Sequence, residues 1–84
     1  MNITIDISYY PLGCDHIPPI LDFIHRMNQY PDFVVKTNGL STQIFGEFDT
    51  VMNAVKSEIR KSFELPLSVF VLKIINNDQR NYSN

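Results

Sequence analysis

The segment Phe33 to Phe48 reads FVVKTNGLSTQIFGEF, and its interpretation decides the fold. Phe33 to Thr37 and Leu40 to Phe48 are rich in Val, Thr, Ile and Phe, the residue types that suit a pleated, half-buried surface. Between them, Asn38-Gly39 supplies the pair that a tight two-residue hairpin favours. Two antiparallel strands are expected. Upstream, Asn2 to Tyr10 alternates Ile3, Ile5 and Ile7 with Thr4, Asp6 and Ser8, the period of a strand covered on one face only. Downstream, Leu67 to Ile75 is a further strand.

Two helical patterns separate these strands. Pro11-Leu12-Gly13 breaks the first strand. Asp15 can then cap a helix whose first turn accepts Pro18 and Pro19, since N-terminal amides have no intrahelical acceptor. Ile17, Ile20, Leu21, Ile24 and Met27 recur at helical spacing, and the helix should end near Tyr30-Pro31. Asp49 fits the N-cap of a second helix, with Val51, Ala54, Val55, Ile59 and Phe63 as its apolar stripe. Lys56, Glu58, Arg60 and Lys61 are expected in water, and Pro66 stops the helix.

The order strand-helix-strand-strand-helix-strand, with crossover helices of about 15 residues, specifies an α+β, ferredoxin-like βαββαβ sandwich. The antiparallel sheet should run 4-1-3-2 with both helices on one face. Residues 1–76 form the single domain, and 77–84 are a polar C-terminal tail with no means of burying itself. The other sheet face is expected to carry Asp6, Ser8, Tyr10, Lys36, Ser41, Gln43, Phe45 and Glu47. Such a mixed polar and aromatic face suits a planar ligand or a second subunit.

Composition narrows the function. With 84 residues, 44% apolar and 19% charged, the chain is one ordinary globular domain with a small core, for which oligomerisation is a natural source of stability. One cysteine, Cys14, permits no internal disulfide, and no tripartite leader opens the sequence, so a reducing, cytoplasmic location is expected. The longest apolar run, Val69 to Leu72, is followed by Lys73 and is far short of a membrane span. A net charge of −2 gives no reason for phosphate-backbone affinity, so nucleic acid is not an expected partner.

The chemistry-bearing residues cluster around the strand ends. Tyr10 offers an aromatic platform, and Thr37, Asn38, Ser41 and Thr42 offer hydrogen-bond donors and acceptors. Glu47 can accept from the edge of a partly protonated heterocycle. Each has a plainer role as well. Ser and Thr at a hairpin satisfy local backbone groups, Glu47 can sit solvated at a helix start, and Tyr9 and Tyr10 can be core or interface aromatics. Gly46 permits close approach of a backbone or ligand, or marks a β-bulge.

Cys14, His16 and His25 lack the paired short spacings of a zinc site, and Asp15 beside Cys14 disfavours a reactive thiolate, so neither a metal nor a catalytic nucleophile is expected. Two other families share the βαββαβ order. An RNA-recognition motif needs basic residues on its third strand, where Glu47 stands here. An acylphosphatase-type enzyme needs an arginine in the first loop, and Pro11 to His16 holds none.

Ile7-Ser8-Tyr9-Tyr10-Pro11-Leu12, taken with Val35-Lys36-Thr37-Asn38-Gly39-Leu40-Ser41-Thr42-Gln43-Ile44-Phe45-Gly46-Glu47-Phe48-Asp49, resembles the YkoF-like thiamine and hydroxymethylpyrimidine-binding family. The resemblance spans about Ile3 to Ile75. Tyr10, Thr37, Ser41, Thr42 and Gly46 fit the pattern, and Asn38 departs from it where a relative has an acidic residue. It implies a ferredoxin-like fold, homodimers or homotetramers built through sheets, and binding of thiamine or its aminopyrimidine without turnover. This single-repeat chain would take its second copy of the fold from another subunit.

The expected function is thus non-catalytic binding of thiamine or hydroxymethylpyrimidine, in thiamine salvage or beside a thiamine transporter, with no cofactor besides that ligand. Ser8, Tyr10, Thr37, Asn38, Ser41, Thr42 and Glu47 are the expected ligand contacts. The other reading is a structural or regulatory module that uses its open sheet to oligomerise.

Overall fold

The structure is a computed structural model and describes residues 1–13, 15 and 17–81. The elements follow the expected order: β1 (Asn2–Pro11), α1 (Ile17–Met27), β2 (Val34–Thr37), β3 (Thr42–Glu47), α2 (Phe48–Ser62) and β4 (Ser68–Ile75). All strand pairs are antiparallel and the sheet order is β2-β3-β1-β4, the ferredoxin-like arrangement. Alternation along β1 does what its pattern implies. Ile3, Ile5, Ile7 and Tyr9 are buried against the helices, joined by Ile44 from β3.

Each helix turns inward part of the stripe its apolar residues suggest and completes it with other residues. On α1 the buried residues are Phe23 and Met27, with Ile20 and Ile24 half-buried, whereas Ile17 and Leu21 are exposed. The helix ends at Met27, three residues short of Tyr30-Pro31, and Asp15 accepts from the Ile17 amide at 3.3 Å. On α2, Val51, Ala54 and Val55 are buried as expected, but the stripe continues through Glu58 and Ser62, leaving Phe63 exposed.

The charge of Glu58 predicts exposure to water, yet the residue is only 2% exposed. Arg26 of α1 explains this. Its Nη1 donates to Glu58 Oε1 at 2.7 Å and to the Glu58 carbonyl at 3.0 Å, while Nη2 donates to Ser62 Oγ at 2.7 Å. Tyr30 donates to Glu58 Oε2 at 2.5 Å. Burial pushes the Glu58 carboxyl up, but the hydrogen bonds from Tyr30 and Arg26 and the nearby Lys61 charge outweigh it and hold it below the usual carboxylate range. A buried charge is tolerated when it is paired and hydrogen-bonded, and here the pair ties α1 to α2.

The N-cap of α2 is Glu47, one residue before the helix, and not Asp49. Its carboxylate accepts from the Asp49 and Thr50 amides, both at 3.1 Å, and those backbone bonds lower its pKa. Asp49 instead lies in the first turn, where a negative charge complements the helix dipole.

The hairpin differs from the two-residue Asn38-Gly39 turn. Thr37 pairs with Thr42, so Asn38 to Ser41 form the connection, and Gly39 does not adopt a positive φ. Asn38 organises it: its Oδ1 accepts from Leu40 N at 2.8 Å and Ser41 N at 3.0 Å, while its own amide donates to the Ser41 carbonyl at 3.1 Å. A side-chain oxygen does what a left-handed backbone would otherwise do. The pairing moves by two residues from the tight-turn register, and an even shift keeps every side chain on its expected face.

Gly46 sits in an uninterrupted β1–β3 register, opposite Ile3, so no bulge is present. Its missing side chain admits the protein itself: a Cβ there would lie 2.7 Å from Phe33 Cβ and 2.9 Å from Val51 Cγ2.

The tail also departs from expectation. Thr4, on the open face and 3% exposed, donates to the Asn77 carbonyl and accepts from the Gln79 amide, both at 2.8 Å. Lys36 donates to the Arg80 carbonyl at 3.1 Å. Polar groups, not apolar ones, dock residues 77–80 across β1 and β2.

Candidate cavity beside the β2–β3 hairpin

Beyond the Ile7↔Thr42 pair, β1 runs on to Pro11 with β4 as its only strand neighbour. The gap this leaves between β1, the hairpin and α1 is a cavity of about 130 Å³. Ile7, Tyr9, Ile20, Phe23 and Ile24 form its apolar part, and residues 37–42 with Ser8 form its polar rim. Cavities of roughly 150 Å³ accept a single benzene ring. This one matches one heteroaromatic ring, with any substituent reaching outward.

The rim's hydrogen-bonding groups are not equally available. Thr37 and Thr42 face each other across β2 and β3 with hydroxyl oxygens 3.2 Å apart, and each hydroxyl can donate once and accept twice. Asn38 has committed its oxygen to the turn, which leaves its two N–H donors. Ser41 is committed elsewhere: its Oγ donates to Asp6 Oδ1 at 2.5 Å and accepts from Gln43 Nε2 at 2.9 Å. Gln43 Nε2 also lies 2.9 Å from Asp6 Oδ1, closing a three-residue network on the open face.

Five of the seven expected ligand residues, Ser8, Thr37, Asn38, Ser41 and Thr42, line this one cavity. The other two do not. Tyr10 is 52% exposed on the open face, opposite Val69 of β4, while Thr37 and Thr42 point toward the helices. The sheet itself separates them. Glu47 lies five residues beyond Thr42, about 17 Å along β3 at strand spacing, and its carboxylate is occupied as a helix cap. The expected contacts are therefore divided: five border a cavity at the sheet end, between hairpin and α1, and Tyr10 and Glu47 lie outside it.

Sequence reasoning missed Phe23, Ile20 and Ile24, which supply the cavity's apolar wall. Their helical spacing from Met27 carried the signal. The tyrosine that borders the cavity is Tyr9, not Tyr10. Tyr9 lines the cavity, stacked on Phe70 at 4.2 Å between ring centroids and edge-on to Phe23 at 5.8 Å. Its hydroxyl lies 3.1 Å from Ser68 Oγ. Cys14 and His16, considered above for zinc and for nucleophilic chemistry, lie outside the described residues, and His25 is on the exposed side of α1. Among the described residues no helix is long and apolar enough to cross a membrane.

The sequence matches no family profile and no curated protein. Solved structures do resemble it. A protein from Streptococcus pneumoniae superposes with a TM-score of 0.83 at 23% identity, covering 93% of this chain and 89% of its own. A protein from Thermotoga maritima, named a "putative thiamine biosynthesis/salvage protein", gives 0.82 at 21% identity, over 92% and 85%. A domain of unknown function, DUF77, from Bacillus cereus gives 0.72 at 15% identity, over 99% and 83%. At these identities the likeness establishes the shared fold.

Proposed function

We propose that this domain binds thiamine, or its hydroxymethylpyrimidine moiety, in the cavity beside the β2–β3 hairpin and does not turn it over. The observation that carries this is the convergence of Thr37, Asn38 and Thr42 on a ring-sized apolar cavity. An aminopyrimidine is flat, with ring-nitrogen acceptors and an exocyclic amino donor. Apolar walls from Tyr9 and Phe23 suit its faces, the Asn38 amino group suits a ring nitrogen, and the threonine hydroxyls serve either sense. The Thermotoga neighbour, provisionally assigned to thiamine biosynthesis or salvage, agrees in kind.

Among the described residues the cavity is lined by neutral side chains, which supports the reading of a binding domain. Affinity should be micromolar, because a small heterocycle gains little more from a partly open site. Isothermal titration with thiamine and with hydroxymethylpyrimidine tests this; silence at millimolar concentrations of both removes the proposal.

Self-association belongs to the same reading. β4 is an edge strand, and Val69 and Val71 are exposed beside Tyr10 on the open face. Such an apolar edge is usually covered in a native assembly. A monomer by light scattering at assay concentrations would count against a subunit contact there.

A further inference from the structure

On the opposite side of the sheet from the hairpin cavity lies a second depression, a groove of about 500 Å³ closed at one end by the docked C-terminal segment. Its charge is out of keeping with the chain. The protein is acidic overall, with a net charge of −2, yet Lys36, Lys73 and Arg80, three of its seven Lys and Arg residues, line this groove. Asp6 is its one acidic lining residue, and that carboxylate already accepts from Ser41 and Gln43.

Among the described residues neither Lys36 nor Lys73 makes a salt bridge. Arg80 gives its Nε and Nη2 to Asp78, which leaves Nη1 without a partner among those residues. The Arg80 and Lys36 cationic groups lie 5.8 and 5.7 Å from the centroid of the Phe45 ring, which fixes both at the groove floor. Gln43 and Gln79 add neutral hydrogen-bonding side chains.

From this convergence we propose that the groove binds a multiply charged phosphate group, as a free diphosphate or as the phosphoryl part of a small molecule. The physical reason is charge count. Two ammonium groups that form no salt bridge among the described residues, with a guanidinium edge, outnumber the nearby Asp6 and Asp78 carboxylates and favour a ligand with two or more negative charges over a monoanion. The docked segment 77–80 is a strap that completes the groove, because Gln79 and Arg80 come from it. Thr4 anchors the strap through both of its hydrogen bonds, so ligand binding and strap docking stabilise each other.

The test is titration of the full chain with inorganic pyrophosphate at low ionic strength, read by calorimetry and by amide exchange. Binding should appear in the millimolar range or tighter, and exchange of the Gln79 amide should slow. Lys73→Ala should weaken binding roughly tenfold, the effect of losing one charge-assisted contact. Thr4→Val, which removes the anchor but no charge, should also weaken it. Lys56→Ala/Arg60→Ala on α2 should leave it unchanged. A phosphate monoester binding as tightly as pyrophosphate would assign the site to phosphorylated small molecules, and clearly weaker monoester binding to free diphosphate. No binding at roughly 10 mM pyrophosphate, or equal binding by the wild type and Lys73→Ala, overturns the proposal. Pyrophosphate has no heterocycle, so the outcome is independent of the hairpin cavity.

Discussion

Gly46→Ala is the sharpest probe of how this domain is packed. The added methyl would meet Phe33 Cβ at 2.7 Å and Val51 Cγ2 at 2.9 Å, both closer than carbon atoms approach. Val51 can shift slightly, but Phe33 Cβ is attached directly to the backbone just before β2, so β2 and α2 must both give way. Overpacking of this kind costs about 1–3 kcal/mol. Against it stands a gain of about 0.4–1 kcal/mol from a stiffer unfolded chain, available because Gly46 does not use a positive φ. The net loss should be about 1.3 kcal/mol. With a urea dependence of roughly 1 kcal/mol per molar for a domain this small, the unfolding midpoint should fall by about 1.3 M. Circular dichroism in a urea series measures it. Adding Val51→Ala removes one of the two clashes, so the double variant should lose less than the sum of the single losses, by about 1 kcal/mol. An alanine variant as stable as the parent, or strictly additive losses, would refute the packing argument. A variant equally stable but weaker for ligand would move Gly46 from the core to a binding site.

Three further outcomes follow from the same geometry. Thr37→Val and Thr42→Val should each weaken thiamine binding about three- to tenfold, the worth of one hydrogen bond, and the double variant should lose less than the product because the two hydroxyls share each other; calorimetry reads this. Glu47→Ala should lower the midpoint of thermal unfolding through loss of the α2 cap, with thiamine affinity unchanged. Glu58→Gln should cost up to about 3 kcal/mol, less than a fully dry pair because Arg26 is partly wet. It should also flatten the acid limb of stability: the native carboxyl is held below its unfolded value, so the unfolded chain takes up the proton first. The stabilisation is complete above about pH 4.3 and disappears as pH falls through the lower native pKa.

Which parts of this structure were legible follows from how each is encoded. The period-two pattern of Ile3, Ile5 and Ile7 is repeated physically in burial, and sheet order follows from connection rules once the elements are known. The hairpin was located correctly but not its length, since Asn-Gly signals a left-handed turn while Asn38 here works through its side chain. The faces survived because the pairing moved by an even number. Glu58 and the tail were not legible for a shared reason. Hydropathy assigns polar residues to water, whereas these are held by partners distant in sequence: Arg26 for Glu58, and Thr4 for Asn77 and Gln79.

Strict alternation along β2 and β3 divides the polar residues between the two sheet faces. Thr37 and Lys36 are neighbours in β2, so they cannot serve one face, nor can Thr42 and Gln43 in β3. The expected contacts mixed both parities, and the sheet sorts them. Hydroxyls at odd-numbered Thr37 and even-numbered Thr42 go to the helix side, where apolar residues make a ring-sized cavity. Lys36, Gln43 and Asp6 go to the open side, where the groove is charged. Asn38, in the turn that joins β2 to β3, borders both. Apolar walls with neutral hydroxyls reward a flat, weakly charged ring, and ammonium groups on an open surface reward a solvated anion. The two sides of one sheet therefore differ in what they can bind, and the difference arises from nothing more than the side-chain parity of its strands.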